Sequence, residues 1–156
     1  MVSDNISETY SLNRSTYINL RWIGILGQFI TINSVKFIFD FDFDFMAANL
    51  IIFIGAISNI FLFYYYKKIQ LSNKSALNFL LIDIIQLTLL LYLTGGVVNP
   101  FSIFLLIPSV FASSHLKIKT NLLLIFLTSI SIIFLTFFSL DLPKPLSEHF
   151  HVSPYY

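Results

Sequence analysis

Five apolar runs, each parted from the next by a short polar stretch, set the limits on what this chain can fold into. They extend from about Leu20 to Phe39, Met46 to Tyr66, Ala76 to Thr94, Phe101 to Ser114 and Thr120 to Leu140. A helix crosses bilayer hydrocarbon with roughly 20 apolar residues, within a range of about 17 to 25. The first, second, third and fifth runs meet that length. The fourth is shorter and contains Pro108, so it is expected to be kinked, steeply placed or only partly spanning. In lipid, backbone N–H and C=O groups must be satisfied within the segment, so runs of this kind are expected as helices and not as open strands. The fold class that follows is all-α: a polytopic membrane helical bundle of about five transmembrane helices over residues 20–140. Residues 1–19 form an N-terminal segment and 141–156 a terminal loop.

Composition agrees with lipid as the solvent. Of 156 residues, 56% are hydrophobic and 11% charged, and 18 are Phe. One soluble core of this size could not bury so much apolar surface. The chain has no cysteine, which excludes disulfides, thiol redox chemistry and thiolate metal sites. A net charge of +1 carries no footprint of a nucleic-acid partner. Met1 to Asn19 is polar and mixed, without a cleavage site before the first apolar run, so that run is expected as a retained helix and not a removed signal.

Basic residues give the orientation. Arg14, Arg21, Lys67, Lys68, Lys74, Lys117 and Lys119 fall at one set of helix ends. The other set has Lys36 and Lys144 with Asp40, Asp42, Asp44, Asp141 and Glu148. The first set is expected to be cytoplasmic, which places the N-terminus inside and the 141–156 loop outside after five crossings. Tyr64, Tyr65 and Tyr66 then lie at the inner interface beside Lys67 and Lys68. The alternating Asp40 to Phe45 stretch reads as an external acidic turn with aromatics dipping into the headgroups. The terminal loop, polar and Pro-containing, reads as the end of a front part of a longer protein.

A charge in hydrocarbon is costly, about 2.5 to 3.5 kcal/mol on insertion scales, so it is expected to face a partner or a cavity. Asp83 is the acidic residue well inside a run, and Gln86 follows it on the same helical face. At 1.5 Å per residue, Asp83 lies about 10 Å, Gln86 about 15 Å and Gln28 about 12 Å above the starts of their runs. Asn59 lies about 10 Å from the inner end of the second run. Gln28, Asn59, Asp83 and Gln86 are therefore expected in one interhelical hydrogen-bonded layer, with Asp83 carrying its proton much of the time. This layer reads either as packing glue or as part of a proton-coupled sensor.

The stretch from Thr94 to Phe101 is the most informative. Gly95 and Gly96 can end the third helix in the left-handed conformation, Asn99 is a preferred N-cap, and Pro100 suits the first helical position. The fourth helix thus starts after a very short turn, with its first N–H groups near the outer membrane surface. Such donors could hold a ligand carbonyl, and Tyr92 and Phe101 could bracket a flat ring. Most Gly-Gly and Asn-Pro pairs simply make turns, and the physics alone leaves both readings open.

Asp83-Ile84-Ile85-Gln86-Leu87 together with Leu93-Thr94-Gly95-Gly96-Val97-Val98-Asn99-Pro100-Phe101 resembles the membrane region of the RegB/PrrB/ActS family of redox-responsive sensor histidine kinases. Its Gly-Gly-x-x-Asn-Pro-Phe heptad is matched without departure. Leu20-Arg21-Trp22-Ile23 and Gly27-Gln28 are similar to the family's first helix, and the likeness runs from about Asn19 to about Pro145. The resemblance implies six membrane helices, the sixth beyond the C-terminal end of this chain, in a multi-pass bacterial inner membrane protein. It implies ubiquinone as the sensed ligand, which the heptad residues Gly95, Gly96, Asn99, Pro100 and Phe101 would hold, with Tyr92 joining them as the second ring of the bracket read above. It also implies a homodimer and a cognate response regulator reached through a cytosolic kinase region. The phosphoacceptor histidine, the ATP-binding boxes and the cytosolic redox cysteine of the family have no counterpart in these 156 residues. An oxidised ring offers two carbonyl acceptors and a reduced ring two hydroxyl donors, so helix N–H groups would prefer the oxidised form.

No catalytic residues are expected here, because no Gly-rich phosphate loop and no Ser/His/Asp arrangement is present. His115 reads as an interfacial residue of the inner turn. Glu148, His149 and His151 lie on a terminal loop, where a tight metal site would need three or four fixed ligands, and no metal is expected. Two other readings compete with a sensor. A transporter or channel fragment would explain an intramembrane Asp and a broken helix, though no inverted repeat is evident. A structural membrane anchor would make the polar layer glue.

Overall fold

The computed structural model describes residues 12–144. Expectations for 1–11 and 145–156, including Glu148, His149 and His151, lie outside the described residues. A two-residue antiparallel bridge pairs β1 (Leu12–Asn13) with β2 (Gln70–Leu71), Leu12 opposite Leu71 and Asn13 opposite Gln70. The helices are α1 (Arg14–Phe37), α2 (Phe45–Tyr65), α3 (Asn73–Leu93), α4 (Ile107–His115) and α5 (Ile118–Phe138). Two 3-10 segments, Gly96–Val98 and Pro100–Leu106, link α3 to α4.

The first helix begins earlier than its apolar run. Asn13 is its N-cap, its side chain accepting from the N–H groups of Ser15 and Thr16 at 3.0 and 3.3 Å. Arg14 to Asn19, expected as part of a cytoplasmic segment, are helical instead. The shift corrects the depth scale: Gln28 lies about 21 Å from the start of α1, not about 12 Å. Arg21 is not a terminal charge but a buried residue, 6% exposed, in the helix body. The other runs match α2, α3 and α5 to within a few residues.

Helices α2, α3 and α5, each of 21 residues, are long and apolar enough to cross a membrane. The 24 residues of α1 include Arg14, Arg21 and Lys36. The fourth segment, Pro100–His115, is short for a span. Pro108 explains its form: lacking an N–H, it cannot close an α-helical bond to Phe104, and the Ile107 N–H instead reaches the Phe104 carbonyl in 3-10 fashion. A 3-10 turn rises about 2.0 Å per residue, so this stretch reaches about 27 Å where a pure α-helix would reach about 24 Å.

Helix α3 is the centre of the bundle. It packs against α2 on one side, with α1 beyond, and against α4 and α5 on the other. Large apolar side chains on the outer faces of α2 and α5, such as Phe53, Phe63, Phe126 and Phe137, are exposed. An apolar exterior around a partly polar interior is the inside-out pattern expected in lipid, and the molecule is a polytopic helical membrane bundle.

Candidate functional site: a cleft with a buried ion pair

Between α1 and the wall formed by α3, α4 and the preceding 3-10 segment lies a cleft of about 910 Å³. Phe41 and Phe43 of the acidic turn, with Leu142 and Pro143, line the end of it that lies by the Gly-Gly turn. That turn is fixed by the Asp42 N–H donating to the Lys144 carbonyl at 2.9 Å and by Asp44 capping α2 through the Ala47 N–H at 2.9 Å. Two of its aromatics therefore turn toward the protein and not only toward lipid.

At the other end of the cleft the expected four-residue polar layer resolves into two groups. Asp83 is not alone. Its Oδ1 accepts from Arg21 Nε at 2.8 Å, with Arg21 Nη2 also at 2.8 Å, and its Oδ2 accepts from the Tyr17 hydroxyl at 2.6 Å. Arg21 further donates to Ser58 Oγ at 3.2 Å and Asn59 Oδ1 at 3.5 Å. Asn59 in turn donates to the Ile18 carbonyl at 3.2 Å. The guanidinium lies near the rings of Tyr17 and Phe79, 5.6 and 5.8 Å from their centroids, where the aromatic faces favour a cation. The carboxyl expected to be the lone charge of the layer has Arg21 beside it, because Arg21 lies in the helix body.

Gln28 and Gln86 form the second group, Gln86 Nε2 donating to Gln28 Oε1 at 2.9 Å. Gln86 packs across α2 at Gly55: a methyl group there would stand 2.2 Å from Gln86 Oε1. Asn59 belongs with the ion pair and Gln28 with Gln86, because the early start of α1 carries Gln28 past the level of Asn59. Sequence reading missed Tyr17, Arg21 and Ser58 as partners. The signal was present in α1, where Tyr17, Arg21 and Gln28 recur at spacings that share one helical face, behind an Asn cap at position 13.

The Gly-Gly turn is equally specific. Thr94, 7% exposed, ends α3 with its hydroxyl donating to the Leu90 carbonyl at 2.9 Å. Gly95 and Gly96 have φ of +106° and +58°. A methyl group at Gly96 would stand 2.3 Å from Ser139 Oγ and 2.9 Å from the Leu135 carbonyl oxygen. Asn99 Nδ2 donates to the Thr94 carbonyl at 2.9 Å and to Thr94 Oγ1 at 3.0 Å, while its Oδ1 accepts from the Phe101 N–H at 2.9 Å.

The six residues expected at a ligand site therefore divide. Asn99, Pro100 and Phe101 line the cleft; Tyr92, Gly95 and Gly96 are not among its lining residues. Tyr92 stacks on Phe134 of α5 with centroids 6.1 Å apart, and Phe101 packs on Phe104 at 5.6 Å, so the two do not bracket one ring. Of the first N–H groups of the fourth segment, that of Phe101 is taken by the Asn99 cap. Gln28, Asp83 and Gln86 line the cleft and Asn59 does not. His115 stacks on Phe111 and lies 3.0 Å from its carbonyl through Nδ1. Among the described residues no group of three His, Cys, Asp or Glu side chains is placed to hold a metal ion.

Comparison with known proteins fits this architecture. The family of PilS-like transmembrane domains matches residues 23–156. The sensor histidine kinase RegB of Cereibacter sphaeroides is 30% identical over 110 residues, which cover 70% of this chain and 24% of RegB. The chain thus spans about a quarter of the length of that relative. No solved structure matches. With most of its length matched in an all-helical membrane bundle, the chain belongs to the PilS-like transmembrane domain family, in company with the membrane sensor regions of histidine kinases.

Proposed function

We propose that this chain is the redox-sensing input region of a two-component histidine kinase and that the molecule it senses is a quinone, ubiquinone by family resemblance. The observation that carries the reading is the cleft, about 910 Å³ and mostly apolar, with Asn99, Pro100 and Phe101 on its outer wall. Its size falls in the range of small-molecule sites and suits a ring with part of an apolar tail. The likeness to a protein named as a sensor histidine kinase supports the wider role. A kinase region, a homodimer and a response regulator belong to the whole protein in this reading.

The end that carries Arg14, Lys67, Lys68, Lys74, Lys117 and Lys119 faces the cytoplasm, so the N-terminus is inside and the Gly-Gly turn is outside. A ligand wedged between α1 and α4 shifts a two-state helix arrangement by the difference in its affinity for the two states, and a few kcal/mol suffice.

The binding test uses the full chain in phosphatidylcholine vesicles with a short-chain ubiquinone. Saturable uptake above that of empty vesicles is expected, with Phe101→Ala weakening it about tenfold through loss of aromatic contact. Uptake no different from empty vesicles refutes quinone as the ligand. Orientation is tested separately. The chain has no cysteine, so Asp42→Cys and Lys68→Cys should react with a membrane-impermeant maleimide from opposite sides.

A further inference from the structure

The outer wall of the cleft has little hydrogen-bonding capacity to offer a ligand. Both ends of the Asn99 amide are engaged within the turn, the Ser102 N–H donates to the Asn99 carbonyl at 2.9 Å, and Pro100 has no N–H. What remains there is the carbon surface of Pro100, Phe101 and Phe104. The ion pair is also spent. Arg21 is matched by Asp83, and both Asp83 oxygens accept hydrogen bonds.

Gln28 differs from both. Its Oε1 accepts from Gln86, but its Nε2 makes no hydrogen bond among the described residues. Gln28 is half-buried and lines the cleft. Its partner is buried and pressed against Gly55, so the amide pair has a fixed backstop. An amide donor with no partner in an apolar setting is costly, which makes it a site that rewards an acceptor.

We propose that Gln28 is the hydrogen-bond anchor of the cleft, its amide donating to a carbonyl oxygen of a neutral ring that lies in the inner half, with the apolar tail running outward past Phe104 and Phe101. The inference rests on the reading that the cleft takes a quinone, and it places the ring deeper than the Gly-Gly turn. Along α3, Gln86 precedes Thr94 by about 12 Å. A charged headgroup does not fit, because the cation that would attract it is already neutralised by Asp83. Gln86 and Gly55 are positioning residues: they orient Gln28 and need not touch the ring.

Two probes test it in vesicles carrying the full chain: a short-chain ubiquinone, and a benzene derivative with the same tail and no carbonyl oxygen. The wild-type chain should bind the quinone about tenfold more tightly than the carbonyl-free probe, the scale of one hydrogen bond. Gln28→Met keeps side-chain length and should erase that preference while leaving the carbonyl-free probe unaffected. Phe101→Ala should weaken both probes equally. A preference that survives Gln28→Met overturns the anchor and leaves quinone sensing standing. A wild-type chain that binds both probes alike overturns the anchor without recourse to any variant. A wild-type chain that binds neither saturably overturns both readings and assigns the cleft to another occupant, such as a further helix.

Discussion

The two ends of α3 are held by different physics. At its start, the contacts come from residues far away in sequence: Asn13 and Leu12 pair with Gln70 and Leu71, Arg14 donates to the Tyr66 carbonyl, and Asn73 accepts from the Lys117 N–H at 3.0 Å and donates to Thr120. One helical turn and more inward, Tyr17 and Arg21 meet Asp83. At its finish, the side-chain bonds span five residues or fewer: Thr94 with Asn99, Asn99 with Phe101, and Ser102 with Val97. The first end is an anchor that ties α1 to α2 and α3 by charge. The second is a turn whose side-chain bonds are local, tied to the segment after α5 through the Leu140 N–H donating to the Tyr92 carbonyl at 3.0 Å. Helix α1 is thus pinned in its first half, while the cleft separates it from α4 toward its C-terminal end, and a ligand there would work against one fixed end.

The largest effect should come from breaking the anchor. Arg21→Met leaves the Asp83 carboxyl in a low-dielectric interior with the Tyr17 hydroxyl as its remaining partner. Removing one member of a buried pair costs about 3–5 kcal/mol. Replacing both, Arg21→Met with Asp83→Leu, should restore most of the loss, since the double variant leaves no uncompensated charge. Unfolding in mixed detergent micelles, followed through the single tryptophan Trp22, measures all three chains. A single variant that costs under about 1 kcal/mol would dissolve the contrast between the ends.

How much of this was legible follows from the same contrast. Local chemistry was readable: the apolar runs matched α2, α3 and α5 to within about three residues at each end, and Gly95, Gly96, Asn99 and Pro100 marked the turn and its cap. Tertiary partnership was not. Arg21 at the edge of an apolar run looks like an interfacial charge until the helix is known to start at Arg14. The depth of Gln28 depends on that same start, so one boundary error moved two residues into the wrong company. Tyr92 and Phe101 lie nine positions apart, and which helix face each presents depends on the path of two positive-φ glycines. That path turns Tyr92 to Phe134 and leaves Phe101 at the cleft.

The turn end can be broken at a single methyl group. Gly96→Ala puts a Cβ at a φ of +58°, 2.3 Å from Ser139 Oγ and 2.9 Å from the Leu135 carbonyl oxygen. A left-handed non-glycine residue alone costs about 1–3 kcal/mol, and the backbone oxygen cannot rotate away. The loss should therefore exceed that of Gly55→Ala, where the neighbour is the end of the Gln86 side chain and overpacking costs about 1–3 kcal/mol before any rotation relieves it. The same micelle unfolding ranks the two. Equal losses would mean that α5 does not press on the turn as closely as these distances require.

Asn99 offers the finest cut, because its side chain does two jobs in the turn. As an acceptor it caps the Phe101 N–H, and as a donor it braces Thr94. Asn99→Ala removes both and should cost about 1–2 kcal/mol, the upper part of the range for a lost cap. Asn99→Asp keeps the acceptor, gains from a negative charge at a helix start, and sets an oxygen against the Thr94 carbonyl. If the cap dominates, the aspartate variant stays within about 0.5 kcal/mol of the parent. If the brace dominates, it falls as far as alanine, since two carbonyl-like acceptors then face each other without a proton between them. The second outcome would make Thr94 the residue that sets the turn, and would show that this end depends on the bond back to the C-cap of α3 and not on capping alone.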